Sequence, residues 1–563
     1  MDQIVFKNFK IINLLFAAVL FLALSLRFYS LGSVPVSMHR DEAFLGYNAY
    51  SILKTGKDMS GSFLPVHLES FFYSPAGYSY FSIPFIEIFG LNEFSVRFAS
   101  ALFGTLTIPL VFLISLNLFK ENKGKYWIAL SSAFILSIMP WHVNLSRVAI
   151  ENTVVVFFIA LGVYLYLKYI EGKNVIFLIL SFVSFGINFF IYQAPRAFVP
   201  LFIPFLISTL TNIKSLIRNK IQIVFYALFI IIPIVFILFS PQLSWRIQSL
   251  SIFHHPETKL IIQEQLTNDG VLGVPSFASR AFHNKAAGYS LLFLDNYFSH
   301  FSYNFLFSDG GLPNRFKIPD IGLLYIYQLP LIIIAFLYLH KKNPRLNLFL
   351  FGWVGLTMLG SALTYDDVPN FQRTLIAVPP FAILSGYGLY EFLGKFKNNK
   401  YYLLIFAFSL LVITANLSYF LIQYFIQGKV YQTWNRQDGY EELVKVTNEM
   451  IPNYEKAVVT SRESAPTVFF LFYSKYDPTL FQKETEFQDL KKSDHISFGR
   501  FEFSEEECPL RVDEKTERFT GKVGILYVNS SLCKTDISSY ANTLHIVERA
   551  GGFSDVFYIL EAR

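Results

Sequence analysis

The stretch IINLLFAAVLFLALSLRFY, residues 11–29, decides the fold. A helix rises 1.5 Å per residue, so an apolar run of this length crosses the roughly 30 Å of hydrocarbon in a bilayer. No small-x-small cleavage site follows the run, and it is therefore predicted to remain as a membrane anchor and not to be removed as a signal peptide. Lys7 and Lys10 precede it, which predicts a cytoplasmic amino terminus.

Similar apolar runs recur along the chain. Of its 563 residues, 53% are hydrophobic and only 16% charged, whereas soluble domains carry about 25% charged residues. The stretch 76–90 is predicted to be a re-entrant or interfacial helix. The fold class predicted is a polytopic α-helical membrane protein with about eleven spanning helices, near 11–29, 97–119, 126–141, 151–168, 175–191, 196–211, 221–240, 321–339, 347–364, 373–393 and 401–425.

Basic residues cluster in alternate loops between these runs. With the amino terminus inside, every cluster falls on the cytoplasmic side, and the carboxyl terminus falls outside. This pattern accounts for the net charge of +6 without a nucleic-acid partner, and it predicts a multi-pass protein of the plasma membrane. The clusters are Lys120/Lys123/Lys125, Lys168/Lys173, Lys214/Arg218/Lys220, Lys341/Lys342/Arg345 and Lys395/Lys397/Lys400.

Three outer segments, 30–96, 241–320 and 427–563, are too long to be simple connections. Residues 1–426 are predicted to form the transmembrane domain, and the polar tail 427–563 a small extracytoplasmic α/β domain. The tail is predicted to contain helices at Gly439–Met450 and Ala465–Tyr473 and strands at Ala457–Thr460, Val523–Val528 and Val556–Leu560.

The only two cysteines, Cys508 and Cys533, both lie in the tail. The predicted compartment favours a disulfide between them. Two free thiols stay open as the alternative, because spacing alone does not decide the pairing.

Ionisable residues gather at the outer ends of the predicted spans. A helix end is the least costly place for a charge, which by itself explains each single residue. The inner ends carry mostly lysine, however, whereas the outer ends carry arginine, whose planar fork suits phosphate or carboxylate. A carboxylate can take a proton from an attacking hydroxyl, and arginines can stabilise a departing phosphate. The residues concerned are Asp41, Glu42, Arg97, Arg147, Glu151, Arg196 and Arg373, with Glu69 as a further candidate in the first outer segment.

Two short spacings, His39-x-Asp41 and His67-x-Glu69, are compatible with a divalent cation. Neither spacing is specific, and ordinary loop histidines explain both. We therefore predict no metal ligand set and no required cofactor, and a divalent cation stays open.

Several short motifs resemble one family of membrane enzymes. The stretch from His39 to Ala49, HRDEAFLGYNA, resembles the acidic-pair motif of glycosyltransferases that use polyprenyl-phosphate sugars, the group of the protein O-mannosyltransferases and the lipid A aminoarabinose transferase. The resemblance covers most of residues 1–425 in order. The other similar stretches are Phe89–Phe98, Ser146–Glu151, Tyr192–Pro200 and Pro369–Arg373, the last followed by Pro379-Pro380.

This resemblance implies a GT-C fold, a lipid-phosphate-linked sugar donor and transfer on the outer face with inversion. It implies that Asp41 is the catalytic base and that Glu42 is its neighbour in the acidic pair. It also implies that Arg147, Arg196 and Arg373 lie around the donor phosphate or shape its cavity. Relatives often have a lysine late in the first outer loop, where this chain reads Tyr73-Ser74-Pro75-Ala76.

The sequence leaves the sugar open, and the acceptor can be a protein hydroxyl, another lipid or a growing glycan. A lipid or polysaccharide exporter with cargo-recognising outer loops is the alternative function. Such a transporter would place polar groups near the bilayer midplane in broken helices, a pattern that the sequence does not display. A receptor or assembly protein would not need eleven spans for anchoring.

Overall fold

The computed structural model describes the chain except residues 1, 72, 212–218, 240–248, 255, 492, 514–517, 534–535 and 553. The predicted basic positions Lys214 and Arg218 lie outside the described residues. The described helices of residues 1–425 are α1 (Asp2–Phe28), α2 (Arg40–Thr55), α3 (Gly77–Phe89), α4 (Glu93–Leu118), α5 (Lys125–Ile138), α6 (Pro140–Leu145), α7 (Glu151–Gly172), α8 (Val175–Ile187), α9 (Pro195–Leu210), α10 (Lys220–Phe239), α11 (Pro256–Val271), α12 (Ser276–Phe282), α13 (Lys285–Ser299), α14 (Gln328–Lys342), α15 (Pro344–Ala362), α16 (Val378–Phe396) and α17 (Tyr402–Phe425).

A helix lies in each of the eleven predicted spans. Among the described residues, five helical stretches are long and apolar enough to cross a membrane, namely Lys10–Phe28, Glu93–Leu118, Glu151–Gly172, Leu375–Phe396 and Tyr402–Lys429. Shorter apolar helices occupy Lys125–Ile138, Val175–Phe190, Pro195–Leu210 and Lys220–Phe236. The chain is a multi-pass membrane protein, and its orientation across the membrane stays a prediction.

One predicted span begins later than expected. The apolar run 321–339 predicts a helix from residue 321, but the helix α14 starts at Gln328. The amide of Leu324 donates to the Leu306 carbonyl at 2.8 Å, and the amide of Tyr325 donates to Gln328 Oε1 at 2.9 Å. These hydrogen bonds satisfy backbone groups of a buried loop. The apolar residues 321–327 therefore form this loop and not the first turns of a helix.

The chain forms two compact units. The first consists of Met1–Leu26, Gly104–Leu145 and Asn152–Phe420, and the second of Arg27–Phe103, Ser146–Glu151 and Leu421–Arg563. The division differs from the predicted boundary at residues 426 and 427, because the second unit contains the first outer segment together with the tail.

In the first unit, the helix α16 packs tightly against α5 and α14 through two glycines. A Cβ atom on Gly386 would lie 2.5 Å from the Ser132 amide nitrogen, and one on Gly388 would lie 2.0 Å from the Leu331 carbonyl oxygen. Small residues allow backbones to approach closely in membrane helix bundles. These two positions therefore set the contact distance between the three helices.

Gly388→Ala is expected to destabilise the protein by about 2 kcal/mol or more, since a methyl group has no room against a backbone atom. The measurement is the apparent melting temperature in detergent. Gly394→Ala, on the same helix with nothing within 4 Å of its added Cβ, is the matched control and should melt like the wild type. Equal melting of both variants would contradict the tight contact.

The tail folds into a mixed sheet with three helices. Its described elements are the helices α18 (Tyr440–Met450), α19 (Pro466–Tyr473) and α20 (Pro478–Glu484) and the strands β3 (Lys456–Thr460), β4 (Phe501–Ser504), β5 (Ile525–Ser530), β6 (Ala541–Glu548) and β7 (Asp555–Ala562). The strand order is β4-β3-β5-β7-β6, with β3 parallel to both β4 and β5 and β7 antiparallel to both β5 and β6.

All five elements predicted in the tail are present, and α20, β4 and β6 are additional. Burial of Tyr440 against Phe469, with ring centroids 4.2 Å apart, joins α18 to α19. Cys508 and Cys533 form a disulfide with Cα atoms 5.5 Å apart.

Within the second unit, the tail packs on the helix α2 of the first outer segment. Gln482 Nε2 donates to Ser51 Oγ at 3.1 Å and to the Asp58 carbonyl at 2.8 Å. A Cβ atom on Gly46 would lie 3.0 Å from a ring carbon of Phe472. The first outer segment and the tail therefore form one folded body around α2. The segment also contains the two-stranded pair β1 (His67–Leu68) and β2 (Ser74–Pro75).

Candidate active site

The first turn of α2 carries the acidic pair. His39 precedes the helix as its N-cap, where its side chain accepts from the Asp41 amide at 3.2 Å and its own amide donates to Glu42 Oε2 at 3.2 Å. Such a capping box satisfies amides that the first turn of a helix leaves without partners. The helix dipole also favours negative charge here, so both carboxylates sit where the backbone stabilises them.

Asp41 has the accessible carboxylate of the pair. Its side chain is 37% exposed, and its Oδ2 lies 3.3 Å from His39 Nδ1. Arg40, next to it, has Nε 4.0 Å from Asp41 Oδ1. A partly exposed carboxylate at a helix amino terminus is able to reach a bound hydroxyl and accept its proton.

Glu42, one residue later, is completely enclosed. Its Oε1 accepts from Arg97 Nε at 3.0 Å and from the Ala149 amide at 2.7 Å, and its Oε2 accepts from Arg436 Nη2 at 3.0 Å. Burial alone would raise the pKa of this carboxyl group, but the charges of Arg97 and Arg436 and the hydrogen bonds outweigh it and lower the pKa below 4.5. Glu42 is thus a charged, fully paired group inside the fold.

Arg97 and Arg147 both bind the backbone that leads from α1 into α2. Arg97 donates to the carbonyls of Pro35 at 2.9 Å and Ser37 at 2.7 Å. Arg147 Nη2 donates to the carbonyls of Tyr29 at 2.7 Å and Val34 at 2.9 Å. Both side chains are fully buried. In these contacts the two arginines fix the approach to the acidic pair.

Two further predicted acids lie in the second unit. Glu151 is buried, and its Oε1 accepts from Ser74 Oγ at 2.7 Å. Ser74 therefore places a neutral donor beside Glu151. Glu69 forms an ion pair with the tail, in which its Oε2 lies 2.6 Å from Lys491 Nζ. The structure thereby groups Asp41, Glu42, Glu69, Arg97, Arg147 and Glu151 in one compact unit.

No cluster of three or more metal-ligating side chains occurs in the part of the chain that the structure describes. The His67 ring stacks on the Tyr73 ring with centroids 5.0 Å apart. The histidine of the His67-x-Glu69 pair therefore packs against an aromatic ring.

Arg196 and Arg373 belong to the first unit. Arg196 is buried at the start of α9, where Nε and Nη2 donate to the Phe189 carbonyl at 3.0 and 2.8 Å and the guanidinium lies 4.4 Å from the Phe236 ring centroid. Arg373 Nη1 donates to Thr364 Oγ1 at 2.7 Å and to the Asp366 carbonyl at 2.6 Å. Each arginine thus holds a turn at the end of a helix.

Known proteins share a sequence segment and the fold of this chain. Residues 74–245 match the family model described as dolichyl-phosphate-mannose-protein mannosyltransferase. The crystal structure of ArnT from Cupriavidus metallidurans in the apo state matches over 98% of both chains, with a TM-score of 0.50 and 12% sequence identity. The chain has the GT-C glycosyltransferase fold. The family resemblance drawn from the sequence motifs is confirmed.

A second structure of ArnT and one further protein are also similar to this chain. ArnT from Cupriavidus metallidurans bound to undecaprenyl phosphate has a TM-score of 0.49 and 13% identity over 96% of this chain and 97% of that chain. An uncharacterized protein of Aquifex aeolicus (strain VF5) is 29% identical over 207 residues, 36% of this chain. The chain covers 40% of that relative's length.

The matched segment of the GT-C chain contains Arg97, Arg147, Glu151 and Arg196 but begins after the acidic pair. The sequence prediction also missed Arg436, which binds Glu42 from a position 394 residues away. The sequence gives only one hint of this role: Arg436 follows soon after the last apolar span.

His300 holds the Pro369–Arg373 stretch of this GT-C fold in place. It is fully buried, its Nδ1 lies 2.7 Å from the Asn296 carbonyl, and its Nε2 accepts from the Asn370 amide at 3.2 Å. Nδ1 therefore carries the proton of a neutral imidazole. Burial lowers the pKa of His300 from 6.5 to about 4.

Stability should consequently fall as the pH drops from 6.5 towards 4, because the unfolded chain binds a proton that native His300 does not. The loss corresponds to about 3 kcal/mol. Melting in detergent across this range should show a flatter pH dependence for His300→Gln than for the wild type. His254→Gln, at an exposed position in the same unit, is the control and should retain the wild-type slope. Identical slopes for all three proteins would contradict this role.

Proposed function

We propose that this protein is a membrane glycosyltransferase that moves a sugar from a polyprenyl-phosphate donor to an acceptor on the extracytoplasmic face, with inversion. The observation that carries the proposal is the accessible carboxylate of Asp41 in the first turn of α2, beside an enclosed Glu42, in a chain with the GT-C fold. The match of residues 74–245 to dolichyl-phosphate-mannose-protein mannosyltransferase supports the donor class.

In the proposed reaction, Asp41 is the general base. The acceptor oxygen attacks the anomeric carbon while Asp41 takes its proton. The bond between the anomeric carbon and the phosphate oxygen breaks, and its electron pair leaves with the polyprenyl phosphate. One displacement at carbon inverts its configuration. The products are the glycosylated acceptor and polyprenyl phosphate.

The role of the protein is mainly positioning and charge stabilisation, since the phosphate is already a good leaving group. The donor-phosphate role that the sequence motifs imply for Arg147, Arg196 and Arg373 stays a prediction. A metal ion is not needed for this displacement, and transfer should continue in a chelator. We assign Glu42 to the support of the helix α2, because its carboxylate is fully paired.

The positive-inside pattern supports a plasma-membrane protein with a cytoplasmic amino terminus and an extracytoplasmic tail. The acceptor is a protein hydroxyl, a lipid or a glycan. The family description makes mannose and a protein acceptor the first combination to test.

The test is a panel of radiolabelled polyprenyl-phosphate monosaccharides incubated with the full chain in nanodiscs, together with a membrane and protein extract as the acceptor source. We expect one or a few sugars to be transferred, with release of polyprenyl phosphate in equal amount. Transfer should persist when the chelator is present. Failure with every lipid-linked donor, or transfer from a nucleotide sugar instead, would overturn the proposed donor class.

A further inference from the structure

The tail contributes a charged side chain to the support of the acidic pair. Arg436 lies just before α18, and its side chain is only 9% exposed although it carries a full positive charge. Its Nη2 donates to Glu42 Oε2 at 3.0 Å, and Arg97 Nε donates to Glu42 Oε1 at 3.0 Å. A buried carboxylate between two guanidinium groups is costly to disturb. Removing the carboxylate leaves two buried positive charges, and removing one guanidinium takes hydrogen-bond donors away from buried oxygen atoms.

Arg436 also binds the chain just before the acidic pair. Its Nε donates to the Val36 carbonyl at 2.9 Å, and its Nη2 donates to the Ser37 carbonyl at 3.1 Å. One guanidinium therefore fixes both the segment that enters α2 and the second residue of the acidic pair. Asp41 lies between these two points of attachment.

The residues that follow Arg436 extend this attachment. Gln437 Oε1 accepts from the Arg40 amide at 3.1 Å, and the Asp438 carboxylate accepts from Ser37 Oγ. Arg40 Nη1 donates to Ser464 Oγ at 2.5 Å. The tail thus holds the residue immediately before Asp41 through both its backbone and its side chain.

From these contacts we propose that Arg436 is a positioning residue for Asp41 and that the tail is a required part of the transfer site. This inference rests on the proposed function, in which Asp41 is the base. The planar guanidinium is needed because one ammonium group does not reach Glu42, Val36 and Ser37 with fixed geometry. Loss of these contacts frees the first turn of α2, and a shift of about 1 Å in a catalytic group lowers rates about a hundredfold.

The experiment compares full-length Arg436→Gln and Arg436→Lys with the wild type in nanodiscs. We expect kcat of Arg436→Gln to fall about a hundredfold with the donor KM unchanged within about twofold. Arg436→Lys should recover part of kcat, because it restores the charge opposite Glu42. Arg462→Gln is the matched control, since Arg462 lies in the same domain with a 52% exposed side chain paired to Glu507. Its kcat should equal that of the wild type.

Amide hydrogen exchange of residues 36–45 supplies a readout that does not depend on activity. Exchange should be faster in Arg436→Gln than in the wild type and Arg462→Gln, while exchange in the β3–β5 strands stays unchanged. Wild-type kcat in Arg436→Gln, or exchange that increases throughout the tail in proportion to lost activity, would overturn the proposal.

The same assay includes Asp41→Asn, so that two failures can be distinguished. If Asp41→Asn transfers sugar at the wild-type rate, the base assignment is wrong and this inference is overturned with it. If Asp41→Asn is inactive and Arg436→Gln is fully active, the positioning role alone is wrong.

Discussion

Replacing Asp41 with asparagine is expected to lower kcat about a thousandfold, the usual contribution of a general base. Asparagine preserves the size of the side chain but accepts no proton at neutral pH. The side chain is 37% exposed, so the folded structure should be retained. Initial rates with the identified donor, together with the melting temperature in detergent, measure both effects.

Glu87→Gln is the matched control for loss of one negative charge. Glu87 lies on α3 in the same outer segment, and its side chain is exposed. This variant should retain wild-type kcat. An Asp41→Asn rate within about tenfold of the wild type would show that another group takes the proton.

Glu42→Gln, unlike Asp41→Asn, is expected to lower the stability of the fold. The expected loss is about 3–5 kcal/mol, because Arg97 and Arg436 are left as buried charges without a counter-ion. This corresponds to a fall of several degrees in melting temperature. Asp41→Asn, at the preceding residue, is the control with the same change of charge and should melt like the wild type. Equal melting of the two variants would contradict the enclosed pairing of Glu42.

The pH dependence of stability should also differ between wild type and Glu42→Gln. The pKa of Glu42 in the native state is lower than 4.5, its ordinary value. Its stabilising contribution is therefore fully present above pH 4.5 and is lost as the pH falls through the lower native pKa. The difference in melting temperature between the two proteins should narrow as the solution is acidified over this range.

Local sequence patterns were sufficient for most of the architecture. Apolar runs of nearly twenty residues placed a helix in every predicted span, because a bilayer demands both length and apolarity. In the tail, the sequence predicts strands at Ala457–Thr460 and Val523–Val528, and the strands β3 and β5 lie there. The strand β6 was missed because only Ala541 and Val547 of its eight residues are buried, and so its pattern resembles a loop.

The candidate site was less predictable from the sequence than the fold. The acidic pair was found from its local motif, but the motif does not distinguish the exposed Asp41 from the enclosed Glu42. That difference depends on Arg97 and Arg436, which are 55 and 394 residues away in the sequence. Contacts over such separations arise from the folded chain, and no spacing rule along the sequence contains them.

The arginines show a second reason why the site could not be fully predicted from the sequence. Their position at the outer ends of helices predicted anion binding, yet Arg97 and Arg147 also bind backbone carbonyls of the segment before α2. A guanidinium group has five donors, so one side chain can organise a turn and still carry its charge. Sequence position gives the charge but not the direction of those donors.

The central claim is a single displacement assisted by Asp41 on a lipid-phosphate sugar, and the anomeric configuration of the product tests it most directly. The measurement uses the donor identified from the panel, with its configuration known, and determines the product linkage by NMR. Inversion, with one polyprenyl phosphate released per sugar transferred, is the result predicted. Retention of configuration would contradict the account, because a single displacement from the face opposite the leaving phosphate inverts the anomeric carbon.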